Sequence, residues 1–142
     1  MEVSEIRRRL RGAIETARRE AQERRGRSDQ AARDYEVFLG ERAVPLFHTV
    51  ASALVAEGHR FKVFTPAGSV RLASESGGED YIELLLDTSV DPPVVIGRTS
   101  RGRGRRVTTA ERPVKEALPI DQLTEEDVLD FIVTELAPFL ER

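Results

Sequence analysis

The chain has no cysteine and no tryptophan, one methionine, two histidines, two tyrosines and six phenylalanines. Without cysteine there is no disulfide, no thiolate nucleophile and no sulfur ligand for a metal. His48 and His59 are the only imidazoles, and they fall in neither an HxxxH nor an HExxH spacing, so a catalytic zinc site lacks ligands. The few aromatic residues sit mostly on core periods and leave no platform on which single-stranded nucleic acid could stack. No apolar run approaches the roughly 20 residues that span a bilayer. The opening stretch MEVSEIRRRLRG has no apolar signal segment, so a cytoplasmic location without membrane contact is expected. GxSxG, GxGxxG and GxxxxGK[ST] are also missing, which removes the usual elbow and phosphate-loop chemistries.

What is present is charge, carried on one side by arginine. Of 22 basic residues only Lys62 and Lys115 are lysine. The net charge of −3 is unevenly spread: residues 1–27 hold nine Arg and five Glu, a local excess of +4. An acidic whole with a basic N-terminal segment suits an interaction protein better than a dedicated nucleic-acid binder, which is usually basic overall.

Residues 2–26 read as a helix. Val3, Ile6, Leu10, Ala13 and Ala17 recur at steps of three and four, a narrow stripe of the coiled-coil kind. So thin a stripe buries little, and a lone helix is marginal in water, so it is expected to pack on a partner helix. Gly26 is a possible end, and Ser28 and Asp29 offer an N-cap for a second helix. These divide the chain into a basic helical extension, 1–27, and a single α+β domain, 28–142. The second helix keeps its 3.6-residue period from Ala31 to Leu54, with a kink or break expected near Glu41–Val44, ahead of Pro45. Gly58 is a natural stop.

The period then becomes two. RFKVFT (60–65), SVRLASE (69–75), DYIELLLDT (80–88), PVVIGRTS (93–100) and RRVTTAER (105–112) read as five strands. The joins are short, so neighbours should pair antiparallel in a meander. Matching apolar residues pairs Val63 with Val70, Leu72 with Ile82 and Leu84 with Ile96, and sets Arg71 opposite Glu83 on the other face. That register leaves Phe64, Tyr81, Leu85 and Val95 on the second face, too apolar for a sheet face open to water. A covering helix or a second subunit is expected there. Thr124 and Asp127 resemble a capping box, and Val128, Leu129, Ile132, Val133, Leu136, Phe139 and Leu140 then form a broad apolar helical stripe. The fold class is therefore α+β: a long N-terminal helical segment, a five-stranded antiparallel meander and a C-terminal amphipathic helix.

No catalytic constellation stands out, and no cofactor or metal is expected. Glu83 and Asp87 share a strand face, but arginines are at hand to pair with them. The one conspicuous motif is RGRGRR, residues 101–106. Its glycines would let backbone approach a phosphate chain while Arg101, Arg103, Arg105 and Arg106 supply charge, joined by Arg8 and Arg11 on the first helix. Equally, a hairpin tip needs glycine where φ is positive, and arginine keeps an edge soluble. The expectation is a non-enzymatic interaction or assembly domain, self-associating as a dimer or bound to a protein partner through the helix stripe and the second sheet face. The alternative is nucleic-acid binding through the hairpin and the first helix.

Overall fold

A computed structural model describes residues 1–141. Its α+β architecture has two layers: a five-stranded antiparallel sheet, β1 (Phe61–Phe64), β2 (Val70–Ser74), β3 (Tyr81–Asp87), β4 (Val94–Arg103) and β5 (Arg106–Pro113), in the order β1-β2-β3-β4-β5, and a helical layer. The helices are α1 (Val3–Phe38), α2 (Val44–Ala56) and α3 (Glu125–Leu140).

The break expected near residue 27 does not occur. Gly26, Ser28 and Asp29 lie inside α1, and Ser28 caps nothing. Glycine costs a helix interior only about 1 kcal/mol relative to alanine, and the helix runs through it into a buried C-terminal turn. Arg27 binds Asp91, and Ala31, Tyr35 and Phe38 are buried. The interruption before Pro45 is a π-turn, Leu39–Ala43, rather than a break. The Val44 amide donates to the Leu39 carbonyl, five residues back. The wider turn carries the helix past Pro45, whose ring and missing N–H do not fit a regular i→i−4 ladder.

α2 buries Phe47, Val50, Ala51 and Leu54, one face at helical spacing, against β1 and β2. It ends in a Schellman motif: His59 N–H reaches Leu54 O at 2.8 Å, Gly58 N–H reaches Val55 O at 3.0 Å, and Gly58 has φ +90°. α3 begins with a complete capping box, Thr124 Oγ1 accepting from Asp127 N–H and Asp127 Oδ2 from Thr124 N–H. It packs on β3 and β4. Phe131 lies so close over Gly97 that a Cβ there would sit 1.9 Å from the ring. Arg112 covers the ring from β5, its guanidinium carbon 4.3 Å from the centroid.

The register matches expectation in the middle of the sheet, Leu72 with Ile82 and Arg71 with Glu83, and differs on both sides. Val63 faces Leu72, not Val70, because the chain reverses in a tight turn centred on Ala67–Gly68, where Ser69 N–H donates to Pro66 O at 3.0 Å and Gly68 has φ +76°. A shift of two leaves the faces unchanged. Leu84 faces Gly97, not Ile96. That shift of one turns β4 over: Val95 is 4% exposed in the core, and Ile96 takes its expected place on the second face beside Leu85. Apolar matching fails there because Leu84 is opposite a glycine whose space Phe131 fills.

Candidate functional site

Two surfaces stand apart from the packed body. The first is the free part of α1. From Val3 to Gln30 every side chain is exposed except Glu5 and Ala21, which are half-buried. At 1.5 Å per residue the stretch from Val3 to Arg27 is an arm about 36 Å long. Val3, Ile6, Leu10 and Ile14 are 71%, 40%, 57% and 49% exposed, and Ala13 and Ala17 are exposed beside them. Ile14 is the member that reading the stripe by steps of three, Leu10 to Ala13, misses. Arg8 and Arg9 bond back to Glu5 at 3.4 and 3.2 Å, so part of the arm's charge is spent locally.

The arm is latched where it meets the body. Arg27 makes two hydrogen bonds to the Asp91 carboxylate, 3.0 and 2.8 Å. Arg27 thereby holds the Asp91 carboxyl below the usual carboxylate range, chiefly through the hydrogen bond. Further along, the Tyr35 hydroxyl donates to Gly68 O at 2.6 Å. Burial, with the Glu83 charge adding to it, pushes that phenol far above its ordinary value.

The second surface is the arginine hairpin. β4 runs through Arg103, longer than expected, and the ladder closes at Arg103 opposite Arg106. Gly104 and Arg105 form the two-residue turn, with positive φ (+60°) at Gly104 and not at Arg105, the type II′ pattern. Gly102 does something else. Its N–H points past the end of β3 and donates to Asp80 Oδ1 at 2.8 Å, and Glu79 lies so close that a Cβ at Gly102 would meet it at 3.3 Å. The base of the basic hairpin therefore leans on the acidic loop ESGGED. Between them and α2 is a cleft of about 740 Å³ lined by His59, Arg60, Glu75, Glu79 and Asp80 over Phe139. Arg101 is half-buried and Arg103, Arg105 and Arg106 are exposed. None of the four has an ion-pair partner among the described residues.

The two arginine groups are not brought together. The arm leaves the body at the β3–β4 turn, and the hairpin is at the other end of β4, roughly 30 Å of strand away at 3.3 Å per residue. Arg8 and Arg11 lie further out still.

The second face of the sheet holds Phe64, exposed, with Tyr81 and Leu85 half-buried. Its centre is a straight row of alternating charge: Arg71, Glu83, Arg98 and Glu111 face one another in register across four strands. Glu83 is buried, accepting from Ser69 Oγ at 3.0 Å and Arg71 at 3.3 Å, with Arg98 at 3.5 Å. Arg98 in turn donates to Glu111 at 2.8 Å, and Arg71 lies 4.0 Å over Tyr81. Only the first pair was readable from sequence, since Arg98 and Glu111 join it once β4 is in its true register. Asp87 accepts from Ser89, so neither strand carboxylate is poised for proton transfer. His48 is exposed on α2, apart from the cleft that His59 lines. Among the described residues no three His, Asp or Glu side chains gather as a metal-binding group, and no helix is long and apolar enough to cross a membrane. No protein-family model, curated protein or solved structure matches the chain.

Proposed function

We propose that this chain is a non-enzymatic assembly protein that self-associates through its N-terminal arm. The observation that carries this reading is the aliphatic series Val3, Ile6, Leu10 and Ile14, exposed on one side of a helix with no element packed over it among the described residues. A single helix of this length containing Gly12 and Gly26 is marginal in water. Burying a large aliphatic side chain contributes about 1.5–3 kcal/mol, so pairing stabilises both the contact and the helix. The paired surface spans only about two heptads, so association is weak, on the order of tens to hundreds of micromolar.

Light scattering across roughly 5 to 500 µM tests it. The expected result is a mass that rises with concentration in the native chain and stays at one subunit in Leu10→Glu. A native chain that remains one subunit throughout contradicts the reading.

A second reading has its own support: four hairpin arginines without ion partners, against Arg71, Arg98 and Arg112, each of which is paired. If these four neutralise four phosphates of duplex DNA, log K falls with log salt at a slope near −3.6, about 0.9 per contact. Anisotropy titrations at about 50 and 200 mM salt, with Arg103→Ser/Arg105→Ser as the weakened variant, check this. Absence of binding at the lower salt removes it.

A further inference from the structure

Between Val3 and Ala17, five of the seven mirror pairs about Leu10 match in kind, and Arg7/Ala13 and Arg8/Gly12 do not. About Leu10, Ile6 mirrors Ile14, Glu5 mirrors Glu15 and Arg9 mirrors Arg11, while Ser4 mirrors Thr16 and Val3 mirrors Ala17. We infer that the occupant of the arm's apolar stripe is the arm of a second copy, running antiparallel, with the two-fold axis at Leu10. This rests on the self-association proposed above and gives it a direction.

In an antiparallel pair centred on one residue, each position faces its mirror position in the partner. The palindrome therefore sets Ile6 against Ile14 of the second copy, Leu10 against Leu10, and Val3 against Ala17. All four exposed aliphatic residues are used; the Ile6–Ile14 and Val3–Ala17 contacts occur twice and Leu10 meets its own copy on the axis, the self-complementarity a two-fold interface requires.

Body placement selects the same direction. Ala31, Tyr35 and Phe38, the residues α1 buries, follow Leu10, Ile14 and Ala17 by 21 positions each. A straight helix drifts about 20° per heptad from a 3.5 repeat, so over three heptads the buried and exposed stripes remain within roughly 60° of each other. The arm's apolar side is thus the side on which the body sits further along the helix. Two parallel arms facing each other would direct both bodies into the gap between helices only about 8–10 Å apart. In the antiparallel pair, Ser28 of the partner is level with a point 11 positions before Val3, about 16 Å beyond it at 1.5 Å per residue, and the bodies stay clear of each other.

The flanks add a sign. Residues 1–27 carry a net +4, and Arg7 and Arg11 of each copy lie along the same side of the seam. Two such arms repel, and salt screens that repulsion. Added salt therefore strengthens this dimer, opposite to its effect on phosphate binding.

The chain's lack of cysteine makes the test clean. Ile6→Cys and Ile14→Cys chains, one lengthened by a tag, are oxidised alone and as an equal mixture in the dimeric concentration range. The expected result is a disulfide dimer of mixed mass from the mixture and its loss when either chain is alone. Mirror positions meet, whereas two copies of residue 6 are eight residues, about 12 Å, apart along the axis, beyond the Cα separation of about 7 Å that a disulfide bridges. Cross-linking of each chain alone but not of the mixed pair overturns the antiparallel direction and leaves self-association standing. No cross-link in any combination, Leu10→Cys alone included, overturns both. Spin labels at Ser28→Cys give an independent reading: about 55 Å across the antiparallel pair, against about 10 Å for parallel arms.

Discussion

The root and the arm of α1 are one helix with one apolar seam, yet they live differently. At the root, Ala31, Tyr35 and Phe38 are buried, where α1 packs beside the turn Ile120–Gln122. On the arm, Val3, Ile6, Leu10 and Ile14 keep the spacing and stay exposed. The difference lies in what is opposite them rather than in the helix itself. Two of the three root residues, Tyr35 and Phe38, are large and aromatic, and all three belong to the core. Arm residues are smaller, set among arginine and glutamate, and suited to a seam that opens and closes. We read this stripe as half of an interface, the basis of the self-association proposed above.

The comparison can be broken most severely at the root. Phe38→Ala removes a fully buried ring and is expected to cost about 3–5 kcal/mol. Leu10→Ala, measured by the same urea unfolding of dilute protein, shifts stability by less than about 0.5 kcal/mol. Similar losses from the two would mean that the arm packs on its own body.

The packed layer sets the scale at Gly97. A methyl there meets the Phe131 ring, and Gly97→Ala is expected to cost about 1–3 kcal/mol in thermal or urea unfolding, as overpacking does. Pairing it with Phe131→Leu should recover part of the loss.

A smaller effect belongs to the start of α3. Thr124→Ala removes a cap worth about 1 kcal/mol. The Asp127 carboxyl is held below its ordinary value by the Thr124 N–H first and by Lys115 second. Its folded value is the lower one, so its contribution is complete above the unfolded carboxylate pKa of about 4 and disappears as pH falls through the depressed value. Urea midpoints of native and Asp127→Ala protein between pH 7 and 2 should converge at the acid end, whereas Thr124→Ala, which keeps the backbone N–H that Asp127 accepts from, stays offset from native across the range. The smallest effect is at the latch. Asp91→Asn leaves global stability alone but speeds amide exchange around residues 24–30, and acidification of the native chain through the depressed Asp91 value does the same.

Much of this architecture was legible from residue patterns. The change of period at residue 60 marks the sheet, the short joins make it a meander, and Gly58 and Thr124 mark real helix ends. What escaped reading was set by contacts distant in sequence. Gly26 and Ser28 look like punctuation, but the helix runs through them, with Arg27 tied to Asp91, 64 residues away. β4 is read one residue out because the partner of Leu84 is a glycine filled from the other layer. That single shift hid both the core role of Val95 and half of the Arg71–Glu83–Arg98–Glu111 row. The hairpin arginines were plain in the sequence. Their separation from Arg8 and Arg11, and the acidic loop beneath Gly102, follow only from the order of the strands.

The most direct test of the central claim is amide hydrogen exchange of the native chain followed against protein concentration. If arms pair, protection of residues 5–17 rises with concentration while that of residues 31–38, already fixed by the body, stays constant. Arm amides that exchange at one unchanging rate from dilute to concentrated protein would contradict the account.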